Sequence, residues 1–144
     1  MTKNIFVGTW KLISYETKLE NGQIIYLFGQ NPIGYLMYSE DGYMSVNIMK
    51  ANRSSFSCED ITKISQEEKV AAAETFLAYC GKYEILADKV VHYPEVSLIA
   101  NLVGVKQERT FKITNNRLFL STPPANMGDV LVTSHLVWER VSKK

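Results

Sequence analysis

Apolar and polar residues alternate with a period of two along most of this chain, the period that sends successive side chains to opposite faces of a β-strand. The alternation predicts strands at residues 8–17, 23–28, 34–38, 43–49, 82–86, 90–97, 104–113, 117–122 and 130–140. Turn signals separate them. Asn21-Gly22 is a strong hairpin turn because both residues tolerate positive φ. Ser39-Glu40-Asp41-Gly42, Ala87-Asp88 and Thr114-Asn115-Asn116 mark further turns, and Pro123-Pro124-Ala125-Asn126-Met127-Gly128 reads as a loop. Pro94 within its run marks an edge or a bulge.

The period changes once. Residues 51–64 are polar and irregular, and Ser65-Gln66-Glu67-Glu68 then forms a capping box, with Ser at the N-cap and Glu three residues on. Val70, Ala73, Phe76, Leu77 and Cys80 fall on one stripe at helical spacing, which predicts a helix to about Tyr79 with Gly81 as its stop. About nine antiparallel strands joined by local hairpins, with one helix inserted mid-chain, favour an all-β, closed, up-and-down antiparallel barrel over a Greek-key sandwich. The two ends of the chain fit closure. Gly8-Thr9-Trp10 opens the first strand and Val137-Trp138-Glu139-Arg140 ends the last. In a closed barrel these strands are neighbours, so Arg140 can stack on Trp10 while Gly8 leaves room for close backbone approach.

G-x-W on the first strand with an Arg on the last resembles the lipocalin signature. Further stretches that carry the likeness are Pro32-Ile33-Gly34-Tyr35-Leu36-Met37-Tyr38, Asp41-Gly42-Tyr43-Met44-Ser45, Tyr79-Cys80-Gly81-Lys82-Tyr83-Glu84, Gln107-Glu108-Arg109, Thr122-Pro123-Pro124 and Leu136-Val137-Trp138-Glu139-Arg140. Together they resemble the bacterial and fungal lipocalin-like domain family across nearly the whole chain. The resemblance implies a barrel of about 8–10 strands. It also puts Gln107 and Arg109 at matching positions, which favours their facing inward. It transfers a fold far better than a function.

Length and charge narrow the classes. The 144 residues suit one domain, 1–144, and the formal net charge of +1 leaves no electrostatic footprint for nucleic acid or an anionic membrane surface. No apolar run approaches the ~20 residues of a membrane span. Met1-Thr2-Lys3-Asn4 runs straight into a strand without a leader pattern, so a cytoplasmic location is expected. Cys58 and Cys80 are too few for a disulfide scaffold and read as reduced thiols. Nothing in the chain fixes an oligomeric state.

A barrel of this size can hold one small ligand. The expected lining is Tyr35, Met37, Tyr43, Tyr83 and Phe111, with Tyr38, Tyr93, Phe119, Met44 and Met49 as further aromatic and adaptable apolar material. If Phe111 points inward, so do Gln107 and Arg109. An inward Arg109 either pairs structurally with Glu95 or Glu84 or anchors a ligand carbonyl, enolate or carboxylate. His92 is either a rim histidine or an acid–base partner of Glu95. His135 reads as structural. Two histidines without a third ligand do not make a metal site, and no motif calls for a cofactor. Three functions remain: binding of a small apolar molecule, a cofactor-independent cyclase or isomerase of secondary-metabolite biosynthesis using Arg109, Gln107, His92, Glu95 and Tyr83, and an interaction module with a filled core.

Overall fold

The computed structural model describes residues 4–142; Met1-Thr2-Lys3, on which the expectation about a leader rests, and the last two lysines lie outside the described residues. Ten strands form one sheet: β1 (Gly8–Leu19), β2 (Ile24–Ile25), β3 (Ile33–Tyr38), β4 (Tyr43–Met49), β5 (Phe76–Ile85), β6 (Lys89–Ser97), β7 (Gln107–Ile113), β8 (Arg117–Ser121), β9 (Ala125–Met127) and β10 (Val130–Arg140). The order is β1-β3-β4-β5-β6-β7-β8-β10, and β10 pairs back onto β1, so eight antiparallel strands close into a barrel. β2 and β9 are short appendages on β1 and β10. Closure removes the unpaired edges that would template aggregation.

Among the described residues the one α-helix, α1 (Gln66–Glu74), starts at the expected capping box, with Ser65 accepting from the Glu68 N–H and Glu68 accepting from the Ser65 N–H. It ends at Glu74, five residues short of the predicted end at Tyr79. Residues Phe76 to Cys80 are strand, laid against β4 in the register Met49↔Phe76 to Ser45↔Cys80. The apolar stripe that suggested a longer helix belongs to two elements. α1 buries none of its residues, so no packed face offsets the gain from a full strand pairing. Gly81 stops nothing. It lies within β5 where β6 bulges, and a Cβ there would stand 1.9 Å from the Tyr93 carbonyl oxygen.

Smaller corrections follow from the same pairing. The predicted strand 23–28 contracts to β2, the stretch 104–106 is not strand, and the predicted Pro-rich loop carries β9. On β1 a bulge between Leu12 and Ser14 changes the side-chain parity. Trp10 and Leu12 therefore face inward, but Tyr15 and Thr17 follow them into the barrel in place of Ser14.

The two barrel ends differ. Tight connections at 39–42, 86–88 and 114–116 lie at one end, which residues 4–7 also cross. The long connections, at 20–32, 50–75, 98–106 and 122–129, all lie at the other. Phe6, Trp10, Trp138, Tyr38, Met44, Val90 and Leu118 fill the short-loop end and are essentially fully buried. Trp10 Nε1 donates to the Phe6 carbonyl at 2.9 Å. The Arg140 guanidinium lies 4.2 Å from the Trp10 ring centroid and donates to the carbonyls of Val7 and Ile5. This end is sealed.

Candidate functional site

At the long-loop end, inward-facing side chains remain half-buried: Tyr15, Phe28, Leu77, Leu102, Gln107, Arg109 and Leu136. Inward Tyr83, Phe111 and Ile113 are half-buried at the other end as well, but there Phe6 packs on Phe111 and the Trp10–Arg140 pair closes the seam. The loops around the long-loop end expose apolar residues, among them Tyr26, Leu27, Leu98, Ile99, Val103 and Met127. An apolar rim of this kind suits the approach of an apolar molecule.

Below this rim, the polar core of the barrel is built on His92. Its register partner on β5 is Tyr83 and on β7 is Gln107, and it is 2% exposed. Tyr38, from β3, places its hydroxyl 2.7 Å from Nε2. Tyr79, from β5, places its hydroxyl 2.7 Å from Nδ1. Burial drives the His92 pKa down from its ordinary value to about 3, and the positive charge of Arg109 adds to the effect. The imidazole is thus neutral. Burial raises the hydroxyls of Tyr38, Tyr79 and Tyr15, and the Arg109 charge opposes the rise in each.

Arg109 lies on the inner face of β7, with Val90 as its register partner on β6. It donates to the Glu108 carbonyl at 2.8 Å and forms no salt bridge among the described residues. The carboxylates expected to pair with it lie elsewhere. Glu84 is exposed and accepts from the Tyr93 hydroxyl, and Glu95 is exposed on β6. Neither reaches Arg109, and Glu95 is not the partner of His92. Gln107 faces inward and donates to the Val105 carbonyl at 3.0 Å.

The other expected site residues divide by end and by face. Tyr83 faces the sealed end, where its hydroxyl donates to the Ser39 carbonyl and accepts from Asn4, and its ring packs edge-on against Tyr38. Phe111 meets Phe6 edge to face at 4.9 Å, also at the sealed end. Tyr35, Met37 and Tyr43 stand on the outer wall at 41%, 47% and 46% exposure, because their neighbours Leu36, Tyr38 and Met44 take the inward positions. They line nothing inside. Tyr93 and Phe119 are likewise outward. His92 is a core residue, not a rim one. His135 is outside, bonded to Ser121 and Thr133.

Tyr79 and Tyr15 are the site residues that sequence pattern missed. Tyr79 was hidden by the helical spacing of its neighbours, and Tyr15 by the β1 bulge. Two grooves lie outside the barrel. One of about 500 Å³ runs over β7, β8 and β10, and one of about 620 Å³ lies between residues 50–56 and α1. Neither touches the His92 cluster. Among the described residues no three His, Cys, Asp or Glu side chains are grouped to hold a metal ion, and no helix is long and apolar enough to cross a membrane.

No solved structure matches the chain. Among curated proteins, a 4'-hydroxy-3'-methoxypropiophenone carrier protein from Aspergillus oryzae (strain ATCC 42149 / RIB 40) is 26% identical over 109 residues, covering 69% of this chain and 98% of that protein. The lipocalin-like domain family matches residues 7–141. A closed eight-stranded barrel, sealed by a Trp–Arg pair and matched to that family along nearly its whole length, belongs to the lipocalin-like domain family.

Proposed function

We propose that the barrel binds a small apolar molecule through its long-loop end and holds it beside Arg109 and the His92 cluster. One observation carries this reading: fully buried Trp10 and Trp138 with the Arg140 guanidinium close the short-loop end, while half-buried Tyr15, Phe28, Leu77 and Leu102 at the long-loop end lie beneath loops that expose apolar residues. The relative from Aspergillus oryzae supports it, since the ligand in that protein's name is a compact aromatic ketone. Aromatic neighbours Tyr15 and Phe28, with Leu77 and Leu136, offer the apolar surface such a body needs. Binding of this kind uses shape and a few placed polar groups.

A second reading, cofactor-independent isomerisation in the same site, draws on the Tyr38–His92–Tyr79 chain as a route for protons. The low His92 pKa makes that imidazole a weak general base, which favours carriage over catalysis.

The test is native mass spectrometry of freshly purified protein, with extraction and identification of what co-purifies, followed by calorimetric titration with 4'-hydroxy-3'-methoxypropiophenone. A stoichiometric small molecule, or saturable binding of the ketone, supports the reading. A clean apo mass with no heat of binding and no uptake of a neutral apolar dye overturns it. Recovery of the added ketone as a rearranged isomer would move weight to the second reading.

A further inference from the structure

The hydrogen-bond arithmetic of the His92 cluster leaves one donor over. A neutral imidazole has one N–H and one bare nitrogen. Each nitrogen faces a tyrosine hydroxyl at 2.7 Å. One tyrosine must therefore donate to His92 while the other accepts from it, and the acceptor keeps its own O–H for a further partner. Among the described residues neither hydroxyl has another hydrogen-bond partner. Tyr38 is 2% exposed and enclosed by the rings of Phe6 and Tyr83 at the sealed end, whereas Tyr79, 7% exposed, stands in the long-loop half of β5. That assigns Tyr38 as donor to Nε2 and Tyr79 as acceptor from Nδ1–H. The spare proton then belongs to Tyr79. Arg109 lies on the inner face of β7, the next inward residue after Gln107, the register partner of His92, and Tyr79 reaches the same imidazole from β5. Hence the spare hydroxyl and an unpaired guanidinium share one region of the barrel.

Two donors, one of them a full positive charge, with no carboxylate between them, are complementary to an ionised oxygen. Resting on the ligand-binding reading, we infer that the ligand of this barrel carries one acidic oxygen and is bound as its anion, with Arg109 and the Tyr79 hydroxyl as its donors. The acidic group is a phenol, enol or carboxylic acid on an otherwise apolar body. The imidazole is not a ligand contact. It fixes which way the Tyr79 proton points, so His92 is a positioning residue.

Two fluorescent dyes test this, because they share one apolar frame: phenylnaphthylamine, which is neutral, and anilinonaphthalene sulfonate, which adds a permanent anion. Wild-type protein is expected to bind the sulfonate at least tenfold more tightly. Arg109→Met should bring the ratio of sulfonate to neutral-dye affinity down to about one, with the circular dichroism spectrum of wild type reporting that the barrel is intact. Arg109→Lys keeps the charge and should keep most of the preference. Tyr79→Phe should weaken the sulfonate alone, by several-fold. Equal binding of both dyes by wild type, or an unchanged preference in Arg109→Met, overturns the anion assignment and leaves apolar binding standing. Failure of both dyes to bind wild type overturns the binding reading and this inference with it.

Discussion

The Arg140 guanidinium lies over the Trp10 ring at 4.2 Å, and the two residues face each other as register partners on β1 and β10. They thus mark the seam where the first and last strands of the barrel meet. Gly8 is part of the same seam. Its φ is +137°, and a Cβ there would stand 2.9 Å from Arg140 Nη1. Gly8→Ala therefore meets both an unfavourable backbone conformation and the guanidinium. Trp10→Ala should cost roughly 3–5 kcal/mol of stability, and Arg140→Met about 2 kcal/mol, from the lost cation–π contact and charged hydrogen bonds. Urea unfolding of the three variants checks this. If Arg140→Met unfolds at the wild-type midpoint, the seam does not depend on that pair.

The two tryptophans should respond differently to the same change. Trp10 Nε1 has an acceptor in the Phe6 carbonyl, whereas Trp138 Nε1 is buried with none among the described residues. An unmet buried donor costs about 1–3 kcal/mol. Trp138→Phe removes that cost along with part of the packing, while Trp10→Phe loses a satisfied bond and the ring beneath Arg140. Thermal unfolding should therefore rank Trp10→Phe as clearly the more destabilised. Equal losses would mean that Trp138 is satisfied in solution, by a trapped water for example.

His92 makes stability depend on pH in a definite direction. An unfolded chain protonates this histidine below its ordinary pKa of about 6.5, but in the fold burial delays protonation to about pH 3. Between those values the unfolded state binds the extra proton. The contribution of a neutral His92 is whole above about pH 6.5 and falls as pH drops toward 3, by at most about 1.4 kcal/mol per pH unit. His92→Gln keeps one donor and one acceptor but does not titrate. Urea midpoints measured from pH 7 to pH 4 should fall less steeply for His92→Gln than for wild type. Parallel slopes would place the acid sensitivity elsewhere.

The legible parts of this molecule were those set by local chemistry. The hairpin turns, the Ser65 capping box and the alternation along β3, β4 and β8 are each written in neighbouring residues. Closure was legible from Gly8-Thr9-Trp10 and Arg140 at the two ends of the chain, and the family likeness strengthened it. What stayed hidden depended on partners far along the chain. The bulge at Ile13 reverses which half of β1 faces inward, and nothing local at that position announces it. Phe76 to Cys80 satisfy helical and strand spacing at once, and only β4 decides between them. Parity was equally unsettled for β3, so Tyr35 and Met37 looked as fit for the interior as Leu36 and Tyr38. The candidate site suffered most, because Tyr79 lay in that ambiguous stretch. Arg109 and Gln107 were legible as inward only through Phe111 and the resemblance.

α1 should be separable from the barrel. It buries no residue, and its start rests on the mutual bonds of Ser65 and Glu68, with Glu68 also accepting from Ser57. Ser65→Ala should cost about 1 kcal/mol of local helix stability. Hydrogen exchange is the suitable measurement, since amides of residues 66–74 should exchange faster while those of β5 and β10 keep their protection. Loss of protection in β5 as well would show that the helix and the strand after it unfold as one unit.

Gly81 ties the fold to the candidate site through the backbone. A Cβ at this position would fall 1.9 Å from the Tyr93 carbonyl oxygen and 2.9 Å from the Glu95 amide nitrogen, both backbone atoms that cannot swing aside. The close approach sits at the bulge that lets β5 and β6 shift register between Cys80 and Gly81. Tyr79 lies two residues before the bulge on β5 and His92 two before Pro94 on β6, so the bulge sets how their side chains meet. Gly81→Ala has no low-cost accommodation and should either abolish folding or force the two strands apart. Where folded protein is recovered, its circular dichroism should retain a β-sheet signature while affinity for the anionic dye falls to that of Tyr79→Phe or below. Wild-type stability and dye binding in Gly81→Ala would mean that β5 and β6 do not approach as closely as this register requires.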